Sequence, residues 1–416
     1  MNQFLECSSC GNRTEFKPET VCHICFGPLN VLYDYDALRR SISRKAIEAR
    51  PKTMWRYAEL LPEVLSGTPD TPVGYTPFVH AKRLGKVLGI PRLYIKNDSV
   101  NFPTLSFKDR VVSVALAKAI DFGFNKVACA STGNLANSVA AQATQLGLES
   151  VIFIPNDLEQ QKVDASACYD TTVIKVLGNY DDVNRLCTEL SYREKIAVVN
   201  VNLRPFYSEG SKTVGFEIAE QLGWRLPDQV IVPMAGGSLI SKIDKAFKEL
   251  VKVGLVEKKR AHIFGAQPKG CSPISAMVKN RSEEITPVKP DTIVKSLAIG
   301  SPADGNRAAN IIRNSDGWAE DVTDSEAVAG ITLLAETEGI FTEAAGGVTL
   351  SVTKKLAEQG KLDKSGVTVI CITGNGLKTA DLVSYRTDNL SVIEAKYSSY
   401  KEITTNKAEA DYVNTV

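Results

Sequence analysis

The feature that most constrains this chain is a rhythm. From about residue 78 onward, short and almost wholly apolar runs alternate with helix-like runs. "KVACAS" is followed by "NLANSVAAQATQLG", "SVIFIP" by "DLEQQKVDASACY", and "TTVIKV" by "YDDVNRLCTELSYREK". "AVVNVN" leads to "SEGSKTVGFEIAEQLG", "QVIVP" to "SLISKIDKAFKELVKVG", and "VTVICIT" closes the series. Strands that are apolar throughout, not at alternate positions, are buried on both faces. With a helix after each, they predict α/β architecture: two open, mostly parallel twisted sheets covered by helices.

A chain of 416 residues suggests two to three domains and has ample length for real cores. The formal net charge of +1 supplies no field to collect nucleic acid or acidic lipid. No apolar run approaches the ~18 residues of a membrane span, and "MNQFLECSSC" lacks the pattern of a signal peptide. Nine cysteines, an odd number, cannot form a closed disulfide set. A reducing, cytoplasmic setting is therefore expected. With only three histidines, demanding chemistry falls to a lysine or a cofactor.

Residues 1–35 read as a separate knob. Cys7, Cys10, Cys22 and Cys25 form two C-x2-C pairs, each able to turn two thiolates toward one ion. Four thiolates make a closed, structural zinc site, which predicts a zinc-ribbon-like segment. The bland alternative is two unrelated cysteine pairs, or a site that no longer holds metal. The segment has few basic residues, so a structural role is expected over nucleic-acid binding. Residues 36–66 read as a helical or irregular arm, and "GTPDTPVGYTPF" marks a boundary. Residues 391–416 read as a polar tail or loose lid.

In an open α/β sheet, ligands bind beyond the carboxyl ends of the strands. Three glycine-bearing turns sit there: "STGN" at 131–134, "MAGGSL" at 234–239 and "TGNGLK" at 373–378. A fourth segment, "NFPTLSFKDR", places Lys108 between a strand-like run and a helix-like one. A lysine is ordinarily a solvated surface charge, and a single glycine turn is weak evidence. "AGGSL" offers consecutive backbone N–H groups at a helix start, an anion cradle suited to phosphate. The nucleotide loops G-x4-GK[ST] and G-x-G-x-x-G are not matched, which argues against nucleotide hydrolysis and dinucleotide binding. "STGN" offers hydroxyls, backbone N–H groups and an amide for a carboxylate and a ring oxygen. The Thr373 hydroxyl can bond a neutral pyridine nitrogen. A lysine, a phosphate cradle, a carboxylate loop and a hydroxyl for a ring nitrogen together point to pyridoxal phosphate.

"PTLSFKDR", "ACASTGNLANS", "GIFTEAAGG" and "ITGNGLK" resemble the threonine synthases, pyridoxal-phosphate enzymes of the tryptophan-synthase-β-like, fold type II class. "MWRYAELLP" and "VGYTPF" resemble that family's entry segments, and the likeness runs from about residue 50 to 385. The resemblance implies conversion of O-phosphohomoserine and water to threonine and phosphate. Lys108 is then the Schiff-base lysine and proton shuttle. Phe107 flanks the ring, Asn134 touches the ring hydroxyl, and Thr373 faces the pyridine nitrogen. Ala235, Gly236, Gly237, Ser238 and Leu239 hold the cofactor phosphate. Ser131, Thr132 and Gly133 hold the substrate carboxylate, and Glu343 borders the ring. Proximity to the motifs adds Ser106, Arg110 and Lys212 as candidates for the substrate phosphate. The implied domains are a large cofactor-binding one (36–110 and 216–390) and a small one (111–215), in a chain expected to be a homodimer.

The sequence departs from the family pattern in three places. Leu105 stands where many members have glycine, Val111 replaces a glycine, and "SLAIGSPADG" alters a loop expected near substrate. Two competing readings follow. One is another pyridoxal-phosphate elimination or β-replacement, such as threonine or serine dehydration. The other is a catalytically inert binding protein.

Overall fold

The computed structural model describes residues 3–131, 133–156, 160–178, 180–387, 390–401 and 403. Contacts divide the chain into two units, one running to Lys378 and one beginning at Thr379. The second contains most of a 3-10 run, Gly376–Thr387, kinked at Thr379, and a helical stretch at 397–401. The expected tail lies largely outside the described residues.

The first unit begins with a three-stranded antiparallel sheet. β1 (Phe4–Cys7) lies between β2 (Arg13–Thr14) and β3 (Leu29–Leu32), with Cys7 opposite Leu29. A six-stranded and a four-stranded sheet follow. The larger contains β4 (Phe78–His80), β5 (Leu93–Asn97), β10 (Gln229–Pro233), β11 (His262–Pro268), β12 (Ala319–Val322) and β13 (Thr368–Ile372). Its order is β12-β11-β10-β13-β5-β4, and only β4 runs antiparallel. The smaller contains β6 (Lys126–Ala130), β7 (Glu149–Pro155), β8 (Thr172–Val176) and β9 (Ala197–Val198) in the order β8-β7-β6-β9, all parallel.

The apolar runs are strands because both their faces are covered. Every residue of β10 and of β13 is buried. The helix Lys108–Asp121 is buried at every position from Asp109 to Ala119, so it is a central pillar and not a surface helix. Three strands of the larger sheet, β4, β11 and β12, had no counterpart among the expected runs, and "AVVNVN" contributes only Ala197–Val198. The expected helix through "SEGSKTVGFEIAEQLG" is two, Arg204–Glu209 and Lys212–Gln221.

Candidate active site

β13 joins the larger sheet last in sequence yet sits between β10 and β5. The carboxyl ends of these three neighbours therefore carry "TGNG", "MAGGSL" and the Lys108 loop side by side, at the point where strand order reverses. The Lys108 loop is stitched to the "TGNG" turn. Phe107 N–H donates to the Thr373 carbonyl at 2.9 Å, and Asn375 N–H to the Leu105 carbonyl at 3.1 Å. Behind it, the buried Asp109 carboxylate accepts from the Thr104 hydroxyl at 2.6 Å and the Ser138 hydroxyl at 2.7 Å. Burial raises the Asp109 pKa despite these bonds. Lys108 opens its helix, and its Nζ donates to the Tyr207 hydroxyl at 3.0 Å and stands 4.9 Å from the Phe107 ring centre.

A second polar group closes the site. Asn134, first residue of the helix Asn134–Gln145, donates its amide to Glu343 at 3.0 Å and accepts from Lys378 Nζ at 2.8 Å. Burial raises the Glu343 pKa, against the pull of Asn134, Lys378 and Lys108. Burial likewise lowers that of Lys378, against Glu343 and Asp109. Glu343 needs room: a Cβ on Gly374 would stand 2.5 Å from its carboxyl carbon.

The "AGGSL" turn has the shape of an anion cradle. Gly237 caps the helix Ser238–Lys252 with φ 87°, a left-handed conformation that favours glycine. A Cβ on Gly236 would meet only the Ile299 methyl, at 3.9 Å, so a ligand can approach this backbone closely. Asp304 N–H donates to the Gly236 carbonyl at 3.0 Å. The altered "SLAIGSPADG" loop therefore packs directly on the cradle.

Lys108, Phe107, Thr373 and residues 235–239 thus lie at the carboxyl ends of three adjacent strands, and the turn after β6 that carries Ser131 and Gly133 is joined to them through the Asn134 bonds to Glu343 and Lys378; Thr132 lies outside the described residues. This set fits pyridoxal phosphate: an amine, a glycine cradle open to a phosphate, and buried polar groups between them. Arg110 requires correction. Its guanidinium is fully buried and bonded to Asp98, Glu217, Thr213 and Thr76, so no N–H is left for a substrate. Ser106 is shut off from solvent, and its hydroxyl has no hydrogen-bond partner among the described residues. Lys212 is also fully buried, paired with Glu209 at 2.7 Å and Glu249 at 2.9 Å. Sequence reasoning missed Tyr207 and Lys378. Lys378 lay inside a quoted motif, whereas nothing local marked Tyr207.

In the N-terminal knob, the Sγ atoms of Cys7, Cys10, Cys22 and Cys25 all lie within 4.8 Å of one another. Cys7 to Cys25 is 3.4 Å and Cys10 to Cys22 is 3.8 Å. Tetrahedral thiolates about 2.3 Å from zinc would stand roughly 3.8 Å apart, so the cluster fits that ion. Backbone N–H groups of Ser9 and Ile24 donate to the Cys7 and Cys22 sulfurs, as they would to thiolates.

Residues 70–374 match the family described as "Pyridoxal-phosphate dependent enzyme". The threonine synthase of Methanocaldococcus jannaschii is 36% identical over 400 residues, covering 95% of this chain and 98% of that protein. The threonine synthase of Methanosarcina acetivorans is 34% identical, covering 97% and 99%. Among solved structures, the processed threonine deaminase isoform 2 of Solanum lycopersicum superposes with a TM-score of 0.63 at 20% identity, over 82% of this chain and 96% of that one. Maize serine racemase gives 0.61 at 21%, over 76% and 94%. At these identities the structural likeness speaks for the fold alone.

Proposed function

This chain belongs to the pyridoxal-phosphate-dependent enzymes and, within them, to the threonine synthases, and from that premise we propose how its residues divide the work. It is a lyase that converts O-phospho-L-homoserine and water to L-threonine and phosphate. The observation that carries this is identity of 34–36% to threonine synthases along almost the whole length of both chains. The dehydratase reading rests only on fold-level likeness.

When bound, pyridoxal phosphate supplies an electron sink that makes the substrate's α- and β-hydrogens acidic. Ala235 to Leu239 would hold its phosphate through backbone N–H groups, the Thr373 hydroxyl would serve its ring nitrogen, and Phe107 and Asn134 would border its ring. Lys108 would hold it in the absence of substrate, and the Lys108 amine would carry the substrate's Cα and Cβ protons. Tyr207 keeps Lys108 Nζ aimed by the hydrogen bond it accepts. Ser131, Thr132 and Gly133 bind the substrate carboxylate. Glu343 and Lys378 work through Asn134. An amide bonded at both ends cannot flip, so its N–H2 stays directed at Glu343.

We assign residues 36–110 and 216–390 to the cofactor-holding lobe and 111–215 to the smaller one. Strand membership supports the division, since β6–β9 all fall between 126 and 198. The four thiolates hold one structural zinc. A homodimer in the cytoplasm completes the reading; family habit supports the first, and the free thiols and absence of a membrane-length apolar helix among the described residues fit the second.

The test is phosphate release from O-phosphohomoserine by the purified yellow protein, with threonine measured in the same tube. Equimolar products are expected. A keto acid and ammonia in place of threonine would move the chain to the dehydratases.

A further inference from the structure

The helix Arg204–Glu209 has six residues and starts with Pro205 near its first turn. So short a helix has little stability of its own, and its placement is set by what grips it. Phe206 and Glu209 lie three apart and share a face. The N-terminal knob grips both. The Phe16 ring, from the segment between the two cysteine pairs, meets the Phe206 ring edge-on at 5.0 Å. The Tyr33 hydroxyl, one residue after β3, donates to Glu209 at 2.7 Å. Lys245 ties the two together, donating to the Val31 carbonyl at 2.8 Å and to Glu209 at 2.8 Å. Tyr207 lies between the two gripped residues, on another face, and meets Lys108 at 3.0 Å. The knob also reaches the Lys108 helix: the Lys118 ammonium sits 5.2 Å from the Phe16 ring centre and 5.7 Å from that of Phe206.

We propose that the N-terminal cysteine knob is a positioning device for the active site, holding Tyr207 against Lys108 by clamping Phe206 and Glu209. The proposal rests on the pyridoxal-phosphate reading of Lys108. Closing the four thiolates around a metal fixes β1 against β3, since Cys7 ends β1 opposite Leu29. That in turn fixes Phe16 and Tyr33, which carry the order to Tyr207.

The experiment uses full-length holoenzyme and reads the visible absorption band, the visible circular dichroism and the cofactor's dissociation constant, none of which needs turnover. Tyr33→Phe and Phe16→Leu leave every thiol in place. Tyr207→Phe supplies the reference signature. Each knob variant is expected to shift the visible dichroism in the same direction as Tyr207→Phe and to weaken cofactor binding by up to about tenfold, the scale of one ordinary hydrogen bond. Combined with Tyr207→Phe, a knob variant should add nothing. Knob variants that lower the thermal midpoint but leave spectrum and affinity at wild-type values would overturn the proposal, as would fully additive effects. Should Phe16→Leu fail to fold, Tyr33→Phe, which removes one oxygen, decides alone. A wild-type protein with no visible band would instead sink the cofactor reading itself.

Discussion

The side-chain amide of Asn134 donates to the buried carboxylate of Glu343 at 3.0 Å. The other end of that amide accepts Lys378 at 2.8 Å, and these bonds bring together residues far apart in sequence. Lys378→Met leaves the Asn134 oxygen without its donor and the Glu343 charge with Lys108 alone. A hydrogen bond to a charged group contributes about 1.5–3 kcal/mol. The variant should therefore bind pyridoxal phosphate about 10- to 100-fold more weakly by absorbance titration. Wild-type affinity would remove Lys378 from the site.

Lys108→Ala should abolish production of threonine and the lysine-linked visible band while leaving the far-ultraviolet dichroism unchanged. Lys108 is half-buried, and among the described residues its side chain makes one hydrogen bond, to Tyr207, so its loss opens no large core cavity. Retained turnover in Lys108→Ala would end its assignment as the proton carrier.

Much of this site was legible because its parts are local. Continuous apolar runs announce strands that lie between two layers, and glycine turns at their ends announce the crevice. What failed to show was tertiary. β12 (Ala319–Val322) reads "AEDV", whose charges look solvated until Glu320 is seen paired with Lys279 and Lys355. Arg110 looked available because its neighbour Lys108 was. Two helical steps of about 100° each carry the chain from Lys108 to Arg110, which is buried on the far side of the helix. Tyr207 meets Lys108 across 99 residues of chain, a relationship that no local pattern encodes.

Leu105 shows a departure from the family pattern with a physical consequence. Its φ is 58°, the left-handed region that glycine occupies freely and leucine enters at a cost of about 1–2 kcal/mol. Leu105→Gly relieves that cost while freeing the unfolded chain by roughly 0.5–1 kcal/mol. The two nearly cancel, so its unfolding free energy should stay within about 1 kcal/mol of wild type. Leu105→Val, β-branched and worse at positive φ, should be the less stable of the two in chemical denaturation. The opposite order would show that side-chain packing, not backbone conformation, governs this position.

Arg110 holds the loop from beneath. It pairs with Asp98 at 2.7 Å and with Glu217, all three shielded from solvent. Arg110→Leu takes the bonded cation from Asp98 and leaves Glu217 with Lys96 alone, and should cost about 3–5 kcal/mol in unfolding free energy. A loss below about 1 kcal/mol, the range of exposed pairs, would show that the cluster is hydrated.

The same cluster predicts how the protein meets acid. Burial opposes the charge on Glu217, but Arg110 and Lys96 outweigh it and hold its pKa at about 2, below an ordinary value of 4.5. A depressed carboxyl stabilises the fold fully above its unfolded pKa, and that contribution is lost as pH falls through the folded value. The thermal midpoint should therefore fall between about pH 4.5 and 2. Glu343 and Asp109 act in the opposite sense, since burial raises both. Their protonation begins at milder pH and relieves a buried charge, so it offsets part of the early loss. Glu217→Gln lowers the midpoint at neutral pH but removes this group's titration. Its curve below pH 4.5 should be flatter than that of the wild type, and parallel curves would place the acid sensitivity elsewhere.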